Sequence, residues 1–157
     1  MNKIVTPQKA IEIAKQIKHT GKSIVLVGGF FDILHVGHIK FLENAKKNGD
    51  YLFILLEDDQ KARKIKGANR PINSQKNRAK ILSTLHSVNY VILLKNMTNN
   101  AKYDRLIIQM RPNVLAATYG DPYIKHKERQ AKLINGKVVC VMERIYNHST
   151  TKLAKRI

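Results

Sequence analysis

The chain has 157 residues, enough for one domain with a real core and too few for several. A hydrophobic content of 43% excludes a disordered or fibrous chain, and no run of about 20 apolar residues suggests a membrane helix. Lys and Arg total 29 against 11 acids, a formal net charge of +18, which implies an anionic partner: a nucleotide, a phosphorylated metabolite, nucleic acid or a membrane surface. A Lys-rich composition that merely coats the surface explains the excess equally well. The N-terminus lacks the apolar core of a secretion signal. The single cysteine, Cys140, excludes an internal disulfide, suits a reducing compartment and is expected as a buried, inert thiol. A cytoplasmic location is therefore expected.

In chain order, Thr6-Pro7 starts a helix, a capping hydroxyl followed by proline in the first turn. Ala10, Ile13, Ala14 and Ile17 keep its helical spacing, and Gly21 ends it. Residues 23–27 read as a strand that is apolar on both faces, as in a buried parallel sheet. A glycine loop leads into a helix over residues 37–47, which stops at Asn48-Gly49-Asp50. A second apolar strand spans residues 51–56. Glu57, Asp58 and Asp59 follow it and read as solvated turn acids, with help to a metal ion as the alternative. Lys61, Arg63, Lys64 and Lys66 then form a basic loop with flexible points at Gly67 and Arg70-Pro71.

Ser74 caps the next predicted helix, which carries Arg78, Ile81, Leu82 and Leu85. A third strand covers residues 88–94. Tyr103, Leu106, Ile107 and Met110 mark a helix with one buried stripe, ended by Arg111-Pro112. The fourth strand, residues 114–117, leads to Thr118-Tyr119-Gly120-Asp121-Pro122. A basic helix over residues 125–134 closes at Asn135-Gly136, and a fifth strand runs over residues 138–142. Ser149-Thr150-Thr151 caps a short final helix over residues 152–156.

Alternating strands and helices predict an α/β fold: a Rossmann-like, doubly wound, parallel five-stranded sheet with helices on both faces. It forms one domain over residues 1–157, with residues 1–20 as a helical extension packed on it. Such sheets bind ligands at the carboxyl ends of their strands, where strand order reverses.

The stretch Gly28-Gly29-Phe30-Phe31-Asp32-Ile33-Leu34-His35-Val36-Gly37-His38 sits at the first such strand end. A helix start offers free N–H groups and a positive dipole end, which suits phosphate. Glycine admits a close backbone approach. His35 and His38, three apart, lie on one face of the first turn, where each can donate a hydrogen bond to phosphate oxygens. The residues themselves read as a phosphate-handling strand–loop–helix.

The pattern Gly29-x-Phe31-Asp32-x-x-His35-x-Gly37-His38 resembles the fingerprint of the cytidylyltransferase-like nucleotidyltransferases. Four later segments agree in order and spacing. Lys66 with Arg70-Pro71 resembles the family's Lys-x-x-x-Arg-Pro loop, and Arg78 falls on its arginine in the following helix. Gly120-Asp121 resembles its Gly-Asp pair, and Ser149-Thr150-Thr151-Lys152 its final helix start. The resemblance spans nearly the whole chain.

It implies transfer of a nucleotidyl group from a nucleoside triphosphate to a phosphorylated small molecule, with pyrophosphate leaving and no covalent intermediate. His35, His38, Lys46 and Lys66 are the implied catalytic residues. Gly28, Gly29, Phe30, Phe31, Gly37, Gly120, Asp121, Ser149 and Thr150 are expected on the nucleotide. Asp32, Arg70, Arg78 and Arg144 are expected on the substrates, and Mg²⁺ is expected as the cofactor that bridges phosphates. The resemblance also implies a possible homodimer, because the family is often dimeric.

Phe30 stands where the family usually has a small or polar residue, so the mouth of the loop should be narrowed or shifted. The segment before Ser149 also lacks the family's usual glycine, and His148 stands there instead. Two branches of the family compete. The N-terminal helix, Gly67 and Arg70-Pro71, Gly120-Asp121 and Ile134-Asn135-Gly136-Lys137-Val138 resemble the adenylyltransferases of heptose 1-phosphate, the branch that the longer resemblance favours, and Arg144 resembles the arginine of glycerol-3-phosphate cytidylyltransferases, the alternative. Flavin mononucleotide or a phosphorylated amino alcohol are further acceptors. A nucleic-acid binder on the same fold is a remote alternative, because aromatic residues are 6% and tryptophan is absent.

Overall fold

The two longest apolar runs pair side by side at the centre of a sheet, because both of their faces are covered. In the computed structural model, which describes residues 1–144 and 150–157 and of Thr150 only the backbone, these are β2 (Ile24–Gly29) and β3 (Tyr51–Leu56). Alternate β2 residues serve opposite cores. Ile24 and Leu26 pack with α1 (Pro7–His19), α5 (Asn100–Met110) and α6 (Ile124–Leu133). Val25 and Val27 pack with α2 (Val36–Lys46) and α4 (Gln75–Ser83). Burial of this kind stabilises by roughly 25 cal/mol per Å² of apolar surface.

The remaining strands are β1 (Ile4–Val5), β4 (Tyr90–Leu93), β5 (Val114–Tyr119) and β6 (Lys137–Glu143). All pairings are parallel, in the order β1-β4-β3-β2-β5-β6. The chain builds outward from β2 through β3 to β4, then returns to β2's other edge for β5. The strand order therefore reverses at β2, and a crevice opens beyond its carboxyl end.

The doubly wound sheet is as expected, with six strands among the described residues rather than five. The sixth is β1, whose Ile4 and Val5 pair with Val91 and Ile92. Two residues are too few to show an alternating pattern. A second difference is α3 (Asp59–Lys66), a helix where the basic sequence reads as a loop. Asp58 caps it by accepting the Lys61 N–H at 2.8 Å, and Arg63, Lys64 and Lys66 fall in the last turn, where cations suit the dipole. Thr6 and Ser74 cap α1 and α4 as their sequences require. Cys140 is half-buried on β6 rather than fully enclosed.

Arg78 of α4 is 1% exposed and ties three segments together. Its Nε donates to the Asn73 carbonyl at 3.0 Å, and its Nη1 to the carbonyls of Phe30 at 2.6 Å and Glu57 at 2.9 Å. Its Nη2 meets the Asp59 carboxylate at 2.6 Å. Arg78→Ala would strand those acceptors, and a loss of about 3–5 kcal/mol is expected in urea unfolding. A loss below about 1 kcal/mol, the scale of a surface pair, would contradict this role.

Candidate active site at the carboxyl edge of the sheet

Gly28 and Gly29 belong to β2 itself and pair with Leu55 and Leu56. A Cβ on Gly29 would lie 2.9 Å from Phe31 Cε2, so the position must stay bare for the Phe31 ring to close over it. Phe31 takes a left-handed φ of 48° and is buried. Its ring lies 5.2 Å from that of His38. The chain is thus wedged as it passes from strand to helix.

His35 is the N-cap of α2, and its Nδ1 accepts the Gly37 N–H at 3.0 Å. That bond places the neutral ring's proton on Nε2 and makes that nitrogen the donor. The His35 and His38 rings stack with centroids 3.8 Å apart and planes 26° apart. Burial above all, then the neighbouring His35, lowers the His38 pKa to about 4, against an opposing pull from the Ile33 backbone. His38 is therefore neutral near pH 7 and works as a hydrogen-bonding group rather than a fixed cation. Its Nδ1 is buried without a hydrogen bond of good geometry among the described residues.

Asp32 is 2% exposed. Its carboxylate accepts from Arg70 Nε at 2.7 Å and from the N–H groups of Ile72 and Asn73, each at 2.8 Å. Its carbonyl accepts Asn73 Nδ2 at 2.9 Å. Burial alone would push the carboxyl up, but the Asn73, Ile72 and Arg70 donors together hold it below the usual carboxylate range. Asp32 is thus a brace between two loops, with its acceptor sites already committed.

These elements frame a cleft of about 690 Å³ at the carboxyl edge of the sheet. Gly28, Gly29, Phe30, Phe31, His35, Gly37 and His38 form its floor. Lys66 and Arg70 stand on the β3 side, with the Lys66 Nζ 5.8 Å from the Phe30 ring centre. Asp121 and Arg144 stand on the β5 side. Gly120, at φ 76°, makes the turn that delivers Asp121 but is not itself on the wall. Asp121 accepts the Tyr123 N–H at 2.8 Å and pairs with Lys127.

Two further expected site residues lie away from the cleft wall. Lys46 ends α2, eleven residues after His35 and on the order of 16 Å along the helix axis. Its Nζ donates to the Asp50 carbonyl at 2.8 Å, away from the cleft. Arg78 is fully enclosed and acts through the Phe30 carbonyl, so it cannot touch a substrate directly. Ser149 and the Thr150 side chain lie outside the described residues, whereas Thr151 of α7 (Thr150–Ala154) lines the cleft.

Sequence reading missed Glu57, Lys61 and Tyr103, which also line the cleft. Glu57 is not a solvated turn acid: its carboxylate accepts the Tyr103 hydroxyl at 2.6 Å and Lys61 Nζ at 3.1 Å. A tyrosine within α5's buried stripe was the available signal, since an enclosed hydroxyl needs a partner. Asp58 and Asp59 are likewise committed, to the Lys61 and Asn96 N–H groups and to the Gln75 N–H and Arg78.

Residues 26–156 match the family described as cytidylyltransferase-like. The chain belongs to that family. Among its curated relatives is the bifunctional protein HldE of Aliarcobacter butzleri, 37% identical over 98% of this chain and 31% of the relative. HldE of Haemophilus ducreyi is 43% identical over 71% of this chain and 23% of the relative. The chain therefore spans about a third or less of the length of these relatives. Among solved structures, a lipopolysaccharide core biosynthesis protein from Thermoplasma volcanium superposes with a TM-score of 0.65 at 28% identity, covering 78% of this chain and 98% of that one. Pantoate–β-alanine ligase from Francisella tularensis matches with a TM-score of 0.65 at 16% identity, over 96% of this chain and 75% of that one, a likeness of fold alone.

The His38 pKa sets a pH dependence. The unfolded ring titrates near 6.5 and the folded one near 4, so the unfolded state binds more protons between those values. Stability is complete above about pH 6.5 and falls as pH drops toward 4, by an amount on the order of 3 kcal/mol. His38→Asn should flatten that part of the curve in urea titrations at stepped pH. An unchanged slope would contradict a buried, neutral ring.

Proposed function

We propose that the chain is a nucleotidyltransferase that joins the adenylyl group of ATP to a sugar phosphate of the heptose 1-phosphate type and releases pyrophosphate. The observation that carries the reading is the stacked His35–His38 pair at the start of α2, beside the bare backbone of Gly28 and Gly29. The HldE relatives favour the adenylyl donor and the heptose-type acceptor.

The acceptor's phosphate oxygen would attack the α-phosphorus as the bond to the β-phosphate oxygen breaks. The chain's contribution is position and charge. His35 Nε2 and the neutral His38 ring would hydrogen-bond the triphosphate oxygens, where charge shifts as the leaving group departs. The N-terminus of α2 adds its dipole. Lys66 would oppose the acceptor's negative charge from the rim of the cleft. Ser149 and Thr150 are proposed on the distal phosphates, following the family resemblance.

Among the described residues, no group of three or more His, Cys, Asp or Glu could cage a metal ion. Magnesium would therefore arrive on the triphosphate as part of the substrate, held by phosphate oxygens and water.

A second reading, a cytidylyltransferase acting on glycerol 3-phosphate, draws on Arg144, which does line the cleft. Pyrophosphate release over ATP and CTP against heptose 1-phosphate, glycerol 3-phosphate and flavin mononucleotide separates the two. We expect the ATP–heptose 1-phosphate pair to turn over fastest, and only with a divalent cation. Preference for CTP would overturn the adenylyl reading, and no release from any pair would overturn nucleotidyl transfer itself. His38→Ala should lower kcat at least about a hundredfold while the circular dichroism spectrum is retained. Near-normal turnover would remove the histidine pair from the mechanism.

A further inference from the structure

The start and the end of α3 are held very differently. The start is fixed by the Asp58 cap on the Lys61 N–H and by the Asp59 carboxylate, which meets the Gln75 N–H and Arg78. Ala62 is the helix's one buried residue. From Arg63 to Lys66 every residue is exposed, and Gly67, at φ 112°, ends the helix. The next anchor along the chain is Arg70, on Asp32 at 2.7 Å. Lys66 stands between these two anchors, on the rim of the cleft. A lysine stem loses more rotamer freedom than most side chains when it is fixed, so something must offset that loss if the ammonium is to stay in one place.

The contact that meets this ammonium is aromatic. Among the described residues Lys66 makes no ion pair and no side-chain hydrogen bond, and its Nζ lies over the Phe30 ring, 5.8 Å from the ring centre. At that distance the negative face of a ring attracts a cation. The backbone that carries the ring is fixed. The Phe30 carbonyl accepts Arg78 Nη1 at 2.6 Å, Arg78 is buried, and Phe31 follows in a left-handed conformation with its own ring enclosed. A pinned loop thus presents an aromatic face to the one charge at the end of α3 that lines the cleft. A small or polar side chain at position 30, the usual choice in the family, has no such face to offer.

We propose that Phe30 is a positioning residue, whose ring holds the Lys66 ammonium at the rim of the cleft in the place from which it opposes the charge of the reacting phosphates. The inference rests on the nucleotidyl-transfer reading above and adds to it a role for a side chain that touches no reacting atom. The hold is electrostatic rather than steric. Electron density withdrawn from the ring weakens it while the shape of the ring is nearly kept. A charge already in place need not be ordered during the reaction, which is how the contact reaches the rate.

The test replaces Phe30 in the full chain by phenylalanines that carry one, two or three ring fluorines, and measures kcat/KM for heptose 1-phosphate at saturating ATP. A stepwise fall is expected, reaching about two- to fivefold with three fluorines, the size of an exposed cation–π contact. The same series in Lys66→Met, at its lower rate, should be flat. A flat series with Lys66 present, or an equal fall in both backgrounds, would overturn the proposal. A second readout needs no turnover. In NMR spectra of lysine-labelled protein, the ring current should move the Lys66 ε-methylene signal upfield of exposed lysines, and Phe30→Leu should return it to their position. A Lys66 signal already at that position would overturn the contact itself. A flat fluorine series in an active chain would sink this inference alone. An upfield signal in a chain that releases no pyrophosphate would sink both the positioning role and the nucleotidyl-transfer reading, and leave only the contact.

Discussion

The buried Asp32 carboxylate holds two loops in register, and the candidate site depends on that bond set. One loop carries the histidines from β2 into α2. The other carries Arg70 and leads into α4. Asp32 accepts from Arg70, Ile72 and Asn73 at 2.7–2.8 Å, and Arg78 closes the same junction by holding the carbonyls of Phe30, Glu57 and Asn73. A carboxylate and a guanidinium taken out of water are stable only when nearly every donor and acceptor is matched. Here both are, so the loops have one arrangement rather than several.

That arrangement explains how a strongly basic chain could build the specific phosphate site we propose. Charge itself is placed around the rim, on Lys66, Arg70 and Arg144, while the floor is built from bare backbone and neutral rings. Phe31 presses on Gly29 and on His38, and burial keeps the His38 ring uncharged near pH 7. A neutral donor can follow charge as it moves between phosphate oxygens without binding the ground state too tightly. Phe30, bulky where the family usually has a small or polar residue, leaves its carbonyl to Arg78 and its ring under Lys66. Its contribution to the loop is made through the backbone and the ring face.

Much of this was legible in the sequence because its physics is local. The runs at β2 and β3 are apolar on both faces, Thr6 and Ser74 sit directly ahead of helical spacing, and two histidines three apart must share a helix face. What was not legible depends on distance in space. Arg78 and Asp32 look like substrate ligands by position, but the partners that hold them are mostly remote in sequence: Phe30 and Glu57 for Arg78, and Arg70, Ile72 and Asn73 for Asp32. Lys46 lies in the right helix at the wrong end, a matter of rise per residue. Glu57 looks like a turn acid until α5 brings Tyr103 to it, and β1 is too short to carry any pattern.

The central claim is that the cleft transfers a nucleotidyl group, with the bond broken between the α- and β-phosphates. The direct measurement is the fate of label from ATP carrying ³²P at the α- or the γ-position, with heptose 1-phosphate as the acceptor. Label from the α-position should appear in the sugar product, and label from the γ-position only in pyrophosphate. Label from the γ-position on the sugar, or α-label left in free nucleotide with no product, would contradict the account.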